Sequence, residues 1–193
     1  MDSSVAYLIG VGGAGMSAIA RYLLKNGYEV YGYDRVKTQL TIELEQEGVI
    51  INYEFSSSSI PKAVMIESGE LLLITTPAIP SSHPHLTYLQ NAGHKAIKRS
   101  EFLGQITENK PTLGIAGTHG KTTITAILAH ILDGTENGCN AFIGGVSANT
   151  KSNLYWSRNA KWTVVEADEF DRSFHELSPT HAVITSLDPD HLD

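Results

Sequence analysis

The chain holds one cysteine, Cys139, among 193 residues, so no internal disulfide can brace it. That scarcity fits a reducing compartment. The thiol itself is expected to act as a small buried hydrophobe. Basic residues are also in deficit: 14 Lys and Arg stand against 21 Asp and Glu, for a net charge of −7. Such a balance argues against a surface for nucleic acid or anionic membrane. No apolar run approaches the roughly 20 residues needed to span a bilayer. The opening MDSSVAYLIG carries no basic stretch of the kind that begins a secretory signal. A soluble, cytoplasmic protein is the expectation. Composition is otherwise ordinary, at 41% hydrophobic and 18% charged, and the length allows one large domain or two small ones.

Strands alternate with helices along the chain, which predicts an α/β fold with a mainly parallel sheet. VAYLI at 5–9 reads as a buried strand. Met16, Ile19, Ala20, Leu23 and Leu24 then recur at helical spacing, with Gly27 as the stop. EVYGYD is a second strand ending in Asp34. A helix is expected over 38–47, a strand over 49–51 and another at LLLIT, 71–75. A helix near 84–92 and a strand around 95–97 complete this unit. TENKP at 107–111 is polar and ends in proline, so a linker is placed there, dividing the chain into domains 1–107 and 108–193. The second part restarts with the strand TLGIA at 112–116, the loop GTHGKTT and an apolar helix over 124–132. WTVVEADE and HAVITSLDPDHLD each read as a strand running into an acidic loop. Three strands and one helix make a thin sheet, so this second unit looks cut short.

Two glycine loops carry the chemistry. GVGGAG, Gly10 to Gly15, fits G-x-G-x-x-G between a strand and a helix, with an acidic residue, Asp34, after the next strand. Glycines and a helix N-terminus recognise a diphosphate, and the carboxylate can accept ribose hydroxyls. NAD carries both groups, and so does any UDP-sugar; the motif does not separate them. GTHGKTT, Gly117 to Thr123, is the stronger signal. Its backbone would wrap phosphate oxygens, Lys121 would reach the β- and γ-phosphates, and the Thr122 hydroxyl would bind Mg2+. Ile115 stands where the strict phosphate-loop pattern has glycine. In a parallel sheet the C-terminal strand ends share one edge. Glu166 ends WTVVE, and Asp188, Asp190 and His191 follow HAVITS, so Lys121, Thr122, Glu166 and His191 can gather around one Mg2+–phosphate centre. Asp168, Glu169 and Asp171 stay open between a site role and a solvated loop. The remaining histidines, His83, His85, His94, His130, His175 and His181, show no ligand spacing and read as surface or packing residues; His119 lies inside the loop and is placed to shape it.

Taken together, IGVGGAGMSAIA (9–20), TTPAIPSSHP (75–84), GIAGTHGKTT (114–123) and VVEADEFDRSF through DPDHLD (164–193) resemble the Mur ligases, the ATP-dependent amide-forming enzymes of peptidoglycan synthesis. GTHGKTT is that family's own version of the phosphate loop, which accounts for Ile115. The resemblance implies a Rossmann-like N-terminal domain that binds a UDP-sugar, followed by the first part of a P-loop NTPase-like central domain. The sugar nucleotide would meet Gly12, Gly13, Ala14, Gly15, Met16 and Ser17, with Asp34 and the loop Thr75, Thr76, Pro77, Ala78 and Ile79 near the nucleoside. ATP would meet Gly117, Thr118, His119, Gly120, Lys121, Thr122 and Thr123. Lys121, Glu166 and His191 would be the catalytic groups, and Thr122, Glu166 and His191 would hold Mg2+. The substrates implied are UDP-N-acetylmuramate and L-alanine; a recycling member that attaches a tripeptide is the alternative inside the family. The GGAGMSAIA turn and DRSF favour the alanine reaction. An NAD-binding oxidoreductase domain is the alternative outside the family, and a second phosphate loop counts against it. Family members continue beyond the point corresponding to Asp193, so a fragment is expected, inactive by itself as a ligase.

Overall fold

The computed structural model describes residues 4–67, 70–108, 110–147, 150–169 and 174–188. The chain forms two compact units, Met1–Arg99 and Ser100–Asp193.

In the first unit, β1 (Val5–Ile9), β2 (Glu29–Tyr33), β3 (Ile50–Asn52), β4 (Leu71–Thr75) and β5 (Ala96–Lys98) form one sheet, in the order β3-β2-β1-β4-β5. Every pairing is parallel. The strand order reverses between β1 and β4, which is where open α/β sheets bind ligands. Side chains alternate across the sheet. Val5, Tyr7, Ile9, Tyr31, Tyr33, Leu71 and Leu73 share a core with Leu86 and Leu89 of α3 (Pro84–Asn91) and with Ile60 and Val64. Helix α1 (Ala14–Lys25) buries Met16, Ile19 and Leu23. Coverage on both faces explains why VAYLI is apolar throughout, with all five residues buried.

Local signals set the helix ends. Helix α2 (Gln39–Glu47) starts in a capping box, with the Thr38 hydroxyl accepting from Thr41 N–H and Thr41 Oγ1 accepting from Thr38 N–H. It stops at Gly48, whose φ of 112° suits glycine. His83 caps α3, its Nδ1 accepting from His85 N–H at 3.3 Å. His85 is buried and bonded to the Tyr7 hydroxyl at 2.7 Å and to the Ser56 carbonyl at 2.8 Å. Burial holds both histidines below their usual pKa, so they serve as neutral packing groups.

In the second unit, β6 (Thr112–Ala116), β7 (Cys139–Phe142), β8 (Leu154–Tyr155), β9 (Trp162–Glu166) and β10 (His181–Ile184) run in the order β10-β6-β9-β7-β8. All pairs are parallel except β7–β8. Helix α5 (Lys121–Asp133) packs Ala129 against Ile115, Ala141, Ile143 and Val164. The sequence reading missed β7 and β8. CNAF and LY are too short for a readable period; β7 is a strand because β9 offers it an edge, and β8 because β7 does. It also missed α4 (Arg99–Thr107), which has little amphipathic pattern. Ser178 N–H donates to Thr107 Oγ1 at 3.3 Å, and Gly104 lies against the Glu176 carbonyl, so α4 packs within the second unit. The division therefore falls at the start of α4, whereas the boundary read from sequence falls at its end. Cys139 is buried as expected, with Sγ 3.5 Å from the Ala129 carbonyl oxygen and its pKa pushed up to about 12 by burial.

Candidate functional site

The first glycine turn is held by backbone bonds. Gly10 N–H and Val11 N–H both donate to the Tyr33 carbonyl, at 2.7 and 3.1 Å. Gly12 N–H donates to Asp34 Oδ2 at 2.8 Å, and Val36 N–H to Oδ1 at 3.2 Å. Asp34 thus ties the turn to the end of β2. A Cβ on Gly12 would lie 2.7 Å from Thr41 Cγ2 and 2.8 Å from Asp34 Oδ2, so the position requires glycine for the protein's own packing. Thr76 and Ile79 flank Gly10, where a Cβ would come within 3.0 and 3.4 Å of them. The structure therefore brings the 75–79 loop onto the turn, with Pro77 and Ala78 exposed beside it. Met16 and Ser17 are buried, and Ser17 Oγ folds back onto the Ala14 carbonyl, so these two side chains serve the helix. Among the described residues, the N–H groups of Gly15 and Met16 have no protein acceptor. Sequence reasoning missed Arg99. It follows β5, and its guanidinium lies over Gly15, with Nη1 3.1 Å from where a Cβ would stand. Its neighbours in sequence, Lys98 and Ser100, gave no hint, because only the strand order carries it to α1.

The second loop leaves β6 and enters α5 through glycines at positive φ, Gly117 at 120° and Gly120 at 86°. A Cβ on Gly117 would stand 2.8 Å from the backbone nitrogens of both Thr185 and Ser186, an approach only glycine permits. The segment after β10 braces the loop. Thr118 N–H donates to the Ser186 carbonyl at 3.2 Å, His119 N–H to Ser186 Oγ at 3.0 Å, and the Thr185 hydroxyl to the His119 carbonyl. The Thr118 hydroxyl donates to the Asp188 carbonyl at 2.8 Å. Two of the loop's N–H groups are therefore used in shaping it. The N–H groups of Lys121, Thr122 and Thr123, in the first turn of α5, have no acceptor among the described residues. They form an oxyanion cradle at the positive end of a helix dipole.

β9 lies next to β6 and sets its last residue, Glu166, against this cradle. The Thr122 hydroxyl donates to Glu166 Oε2 at 3.1 Å, and Gly144 N–H donates to Oε1 at 2.6 Å. A side chain on Gly144 would come within 2.8 Å of Oε2, so glycine is needed there too. Gly144 was also missed, because β7, which delivers it, was not legible. Burial raises the Glu166 pKa, opposed by the bonds from Gly144 and Thr122. A carboxylate and a hydroxyl in contact are hard oxygen donors of the type that Mg2+ takes, in small number, alongside phosphate and water. No group of three His, Cys, Asp or Glu converges on a cation site among the described residues. The donor pair fits a metal shared with a nucleotide better than a cage built wholly of protein. Lys121 Nζ donates to the Gly117 carbonyl at 2.7 Å and to Glu169 Oε1 and Oε2 at 2.8 and 2.9 Å. His191, Asp190 and Asp171 lie outside the described residues.

Residues 5–111 match the family model "Mur ligase family, catalytic domain", and residues 115–193 match "Mur ligase middle domain". The chain belongs to the Mur ligase family. It is 49% identical over 187 residues to the UDP-N-acetylmuramate–L-alanine ligase of Porphyromonas gingivalis, covering 97% of the chain and 41% of that protein. The corresponding ligase of Parabacteroides distasonis is 49% identical over 190 residues, again with 41% of its length covered. The chain therefore spans about two-fifths of these Mur ligases. Among solved structures, the UDP-N-acetylmuramate–alanine ligase of Thermotoga maritima superposes with a TM-score of 0.81 at 28% identity, over 97% of this chain and 42% of that one. The UDP-N-acetylmuramate:L-alanyl-γ-D-glutamyl-meso-diaminopimelate ligase of Neisseria meningitides gives 0.84 at 25% identity, over 99% and 63%. Among the described residues no helix is long and apolar enough to cross a membrane.

Proposed function

We propose that this chain is the sugar-nucleotide-binding part and the phosphate-loop part of a ligase that joins L-alanine to UDP-N-acetylmuramate at the expense of ATP. The observation that carries the proposal is the pair of glycine loops, each at a C-terminal strand edge, in a chain whose relatives at 49% identity are alanine ligases. In the first unit the N–H groups of Gly15 and Met16 and the Arg99 guanidinium receive the UDP diphosphate, and the 75–79 loop borders the nucleoside. In the second, the α5 cradle and Lys121 hold the ATP phosphates. Thr122 and Glu166 hold Mg2+, with His191 as the further ligand implied by the family.

The reaction requires a carboxylate to attack the γ-phosphate, so two anions must be brought together. Mg2+, when bound, offsets part of that charge. Lys121 and the N–H groups of the first α5 turn stabilise the charge on the transferring phosphoryl group. As the carboxylate takes the γ-phosphoryl group, that group's bond to the β-phosphate oxygen breaks and ADP leaves. The amine of L-alanine then displaces phosphate from the acyl phosphate and loses a proton, so no side-chain nucleophile is needed. Because the relatives extend far beyond the matched region, the chain alone is expected to bind nucleotides without ligase turnover.

Calorimetric titration tests the reading. UDP-N-acetylmuramate should bind and NADH should not; tight NADH binding with no response to the UDP-sugar would overturn it. The tripeptide-adding alternative is separated in the complete enzyme, where phosphate release should depend on L-alanine and not on the tripeptide.

A further inference from the structure

The ammonium group of Lys121 has three N–H donors and no more. Three protein oxygens surround it: the Gly117 carbonyl at 2.7 Å and the two Glu169 carboxylate oxygens at 2.8 and 2.9 Å. The two Glu169 oxygens lie too close together to take a separate N–H each in good alignment, so the carboxylate occupies one side of the ammonium and the Gly117 carbonyl another. A nucleotide phosphate that approaches this lysine meets the Glu169 carboxylate, a like charge, on the same ammonium. The two partners differ in how easily they can leave.

The Gly117 carbonyl belongs to the loop itself. Gly117 has a φ of 120° and abuts the backbone nitrogens of Thr185 and Ser186, at 2.8 Å from a notional Cβ, and the next two N–H groups are bonded to Ser186. That carbonyl cannot turn without unfolding the loop. Glu169 lies beyond the end of β9, and its side chain is 28% exposed against 14% for Lys121. Its carboxylate is carried on a side chain with several rotatable bonds, so it can move while the backbone stays in place.

We infer that Glu169 is a built-in counter-anion for the phosphate loop. It holds the lysine oriented and neutralised in the absence of nucleotide, and the incoming phosphate displaces it. This inference rests on the assignment of Lys121 to nucleotide phosphate. It gives Glu169 a positioning role distinct from that of Glu166, whose carboxylate is bonded to Thr122 and Gly144. The device has a definite sign. A residue that only stabilised the loop would weaken phosphate binding when removed. A competing anion would strengthen it.

The test uses the 193-residue chain with inorganic tripolyphosphate, without Mg2+, followed by calorimetry. Glu169→Gln should bind tripolyphosphate about 3- to 10-fold more tightly than the parent, the range expected for releasing a partly exposed ion pair. Glu169→Asp, which keeps the charge, should return most of the way to parental affinity. Asp168→Asn removes the same charge from the neighbouring position and serves as the control for general charge; its gain should be clearly smaller. Unchanged or weaker binding by Glu169→Gln, or an equal gain from Asp168→Asn, would overturn the inference while leaving the phosphate-loop assignment standing. If the parent binds tripolyphosphate and Lys121→Met binds it equally well, the assignment falls and the inference with it; a parent that does not bind at all has the same consequence. Melting of each variant without ligand checks the fold: a Glu169→Gln chain that melts as the parent does, yet gains a larger shift with tripolyphosphate, has the expected signature.

Discussion

Each unit contains a strand that runs through a glycine loop into a helix, yet the two loops are differently equipped. In the first, the acid beside the loop is spent on backbone: Asp34 accepts from Gly12 N–H and Val36 N–H. No lysine enters the turn, and the cation at hand, Arg99, arrives from the far side of the sheet. In the second, the acids reach side chains as well: Glu166 meets a hydroxyl beside the Gly144 N–H, and Glu169 meets an ammonium. A loop of backbone donors suits holding a diphosphate still. A loop whose lysine and hydroxyl are matched to carboxylates suits moving a phosphoryl group with a metal. The strand–glycine–helix pattern is shared by both units, and it is the side chains around each loop that set the two apart.

The units differ in coverage too. Every residue of β1 is buried, whereas all of β10 is exposed, and α5 leaves Ile127 and Ile131 more than half exposed.

The largest effect expected on this contrast comes from Lys121→Met. It should weaken ATP binding by about 100-fold, the equivalent of roughly 2.7 kcal/mol, while UDP binding in the first unit is unaffected; calorimetry with each nucleotide would show it. Loss of both would mean that the loops do not act separately. Next is Gly12→Val, whose side chain collides with Thr41 and Asp34 before any ligand arrives. Overpacking of this kind costs about 1–3 kcal/mol, so the first unit should melt earlier and UDP affinity should fall with it. A normal melting temperature with weak UDP binding would place the crowding on the ligand alone. Arg99→Met should reduce UDP affinity about 10-fold, as for one charge-assisted bond to phosphate, with uridine binding unchanged. Equal losses for UDP and uridine would mean that Arg99 acts on the turn's shape.

The smallest effect is a difference of sign in the pH response. His83 and His85 have pKa values lowered by burial, so the stability they contribute is present above the ordinary value of 6.5 and is lost as pH falls through the lowered values. Glu166 is raised above 4.5 by burial, so its contribution is complete below 4.5 and is lost as pH rises through the raised value. Region-resolved hydrogen exchange over a pH series should show protection falling in the first unit on the acid side. It should also show Glu166→Gln removing a loss on the alkaline side of the second. The same sign in both units would break the contrast.

Much of this was legible in the chain before folding. VAYLI, LLLIT and WTVV declare buried strands because a parallel sheet covered on both faces wants unbroken apolar runs. Thr38, Gly48 and Pro84 mark helix ends through capping and backbone geometry confined to a few neighbours. The glycine turns GVGGAG and GTHGKTT are legible for the same local reason, and the alternation of elements announces the α/β class. β7 and β8 were not legible, since residues so few carry no period and become strands only through pairing, β7 with β9 and β8 with β7. Gly144 was hidden with them.

The partnerships belonged to the tertiary structure alone. Arg99 reaches Gly15 because β5 and β1 flank β4, although 84 positions separate the two residues, 99 less 15. Whether Glu166, Asp168 or Glu169 would take the lysine could not be read from EADEF, where three acids stand within four positions. Nor could the diversion of the Thr118 and His119 N–H groups to Ser186 be read from the loop. Periodicity, capping and glycine conformation act over a turn or two of chain and leave their mark in the residues themselves. Which acid meets which cation depends on strand order, on register and on where each side chain ends, and folding settles these over distances that no short pattern spans.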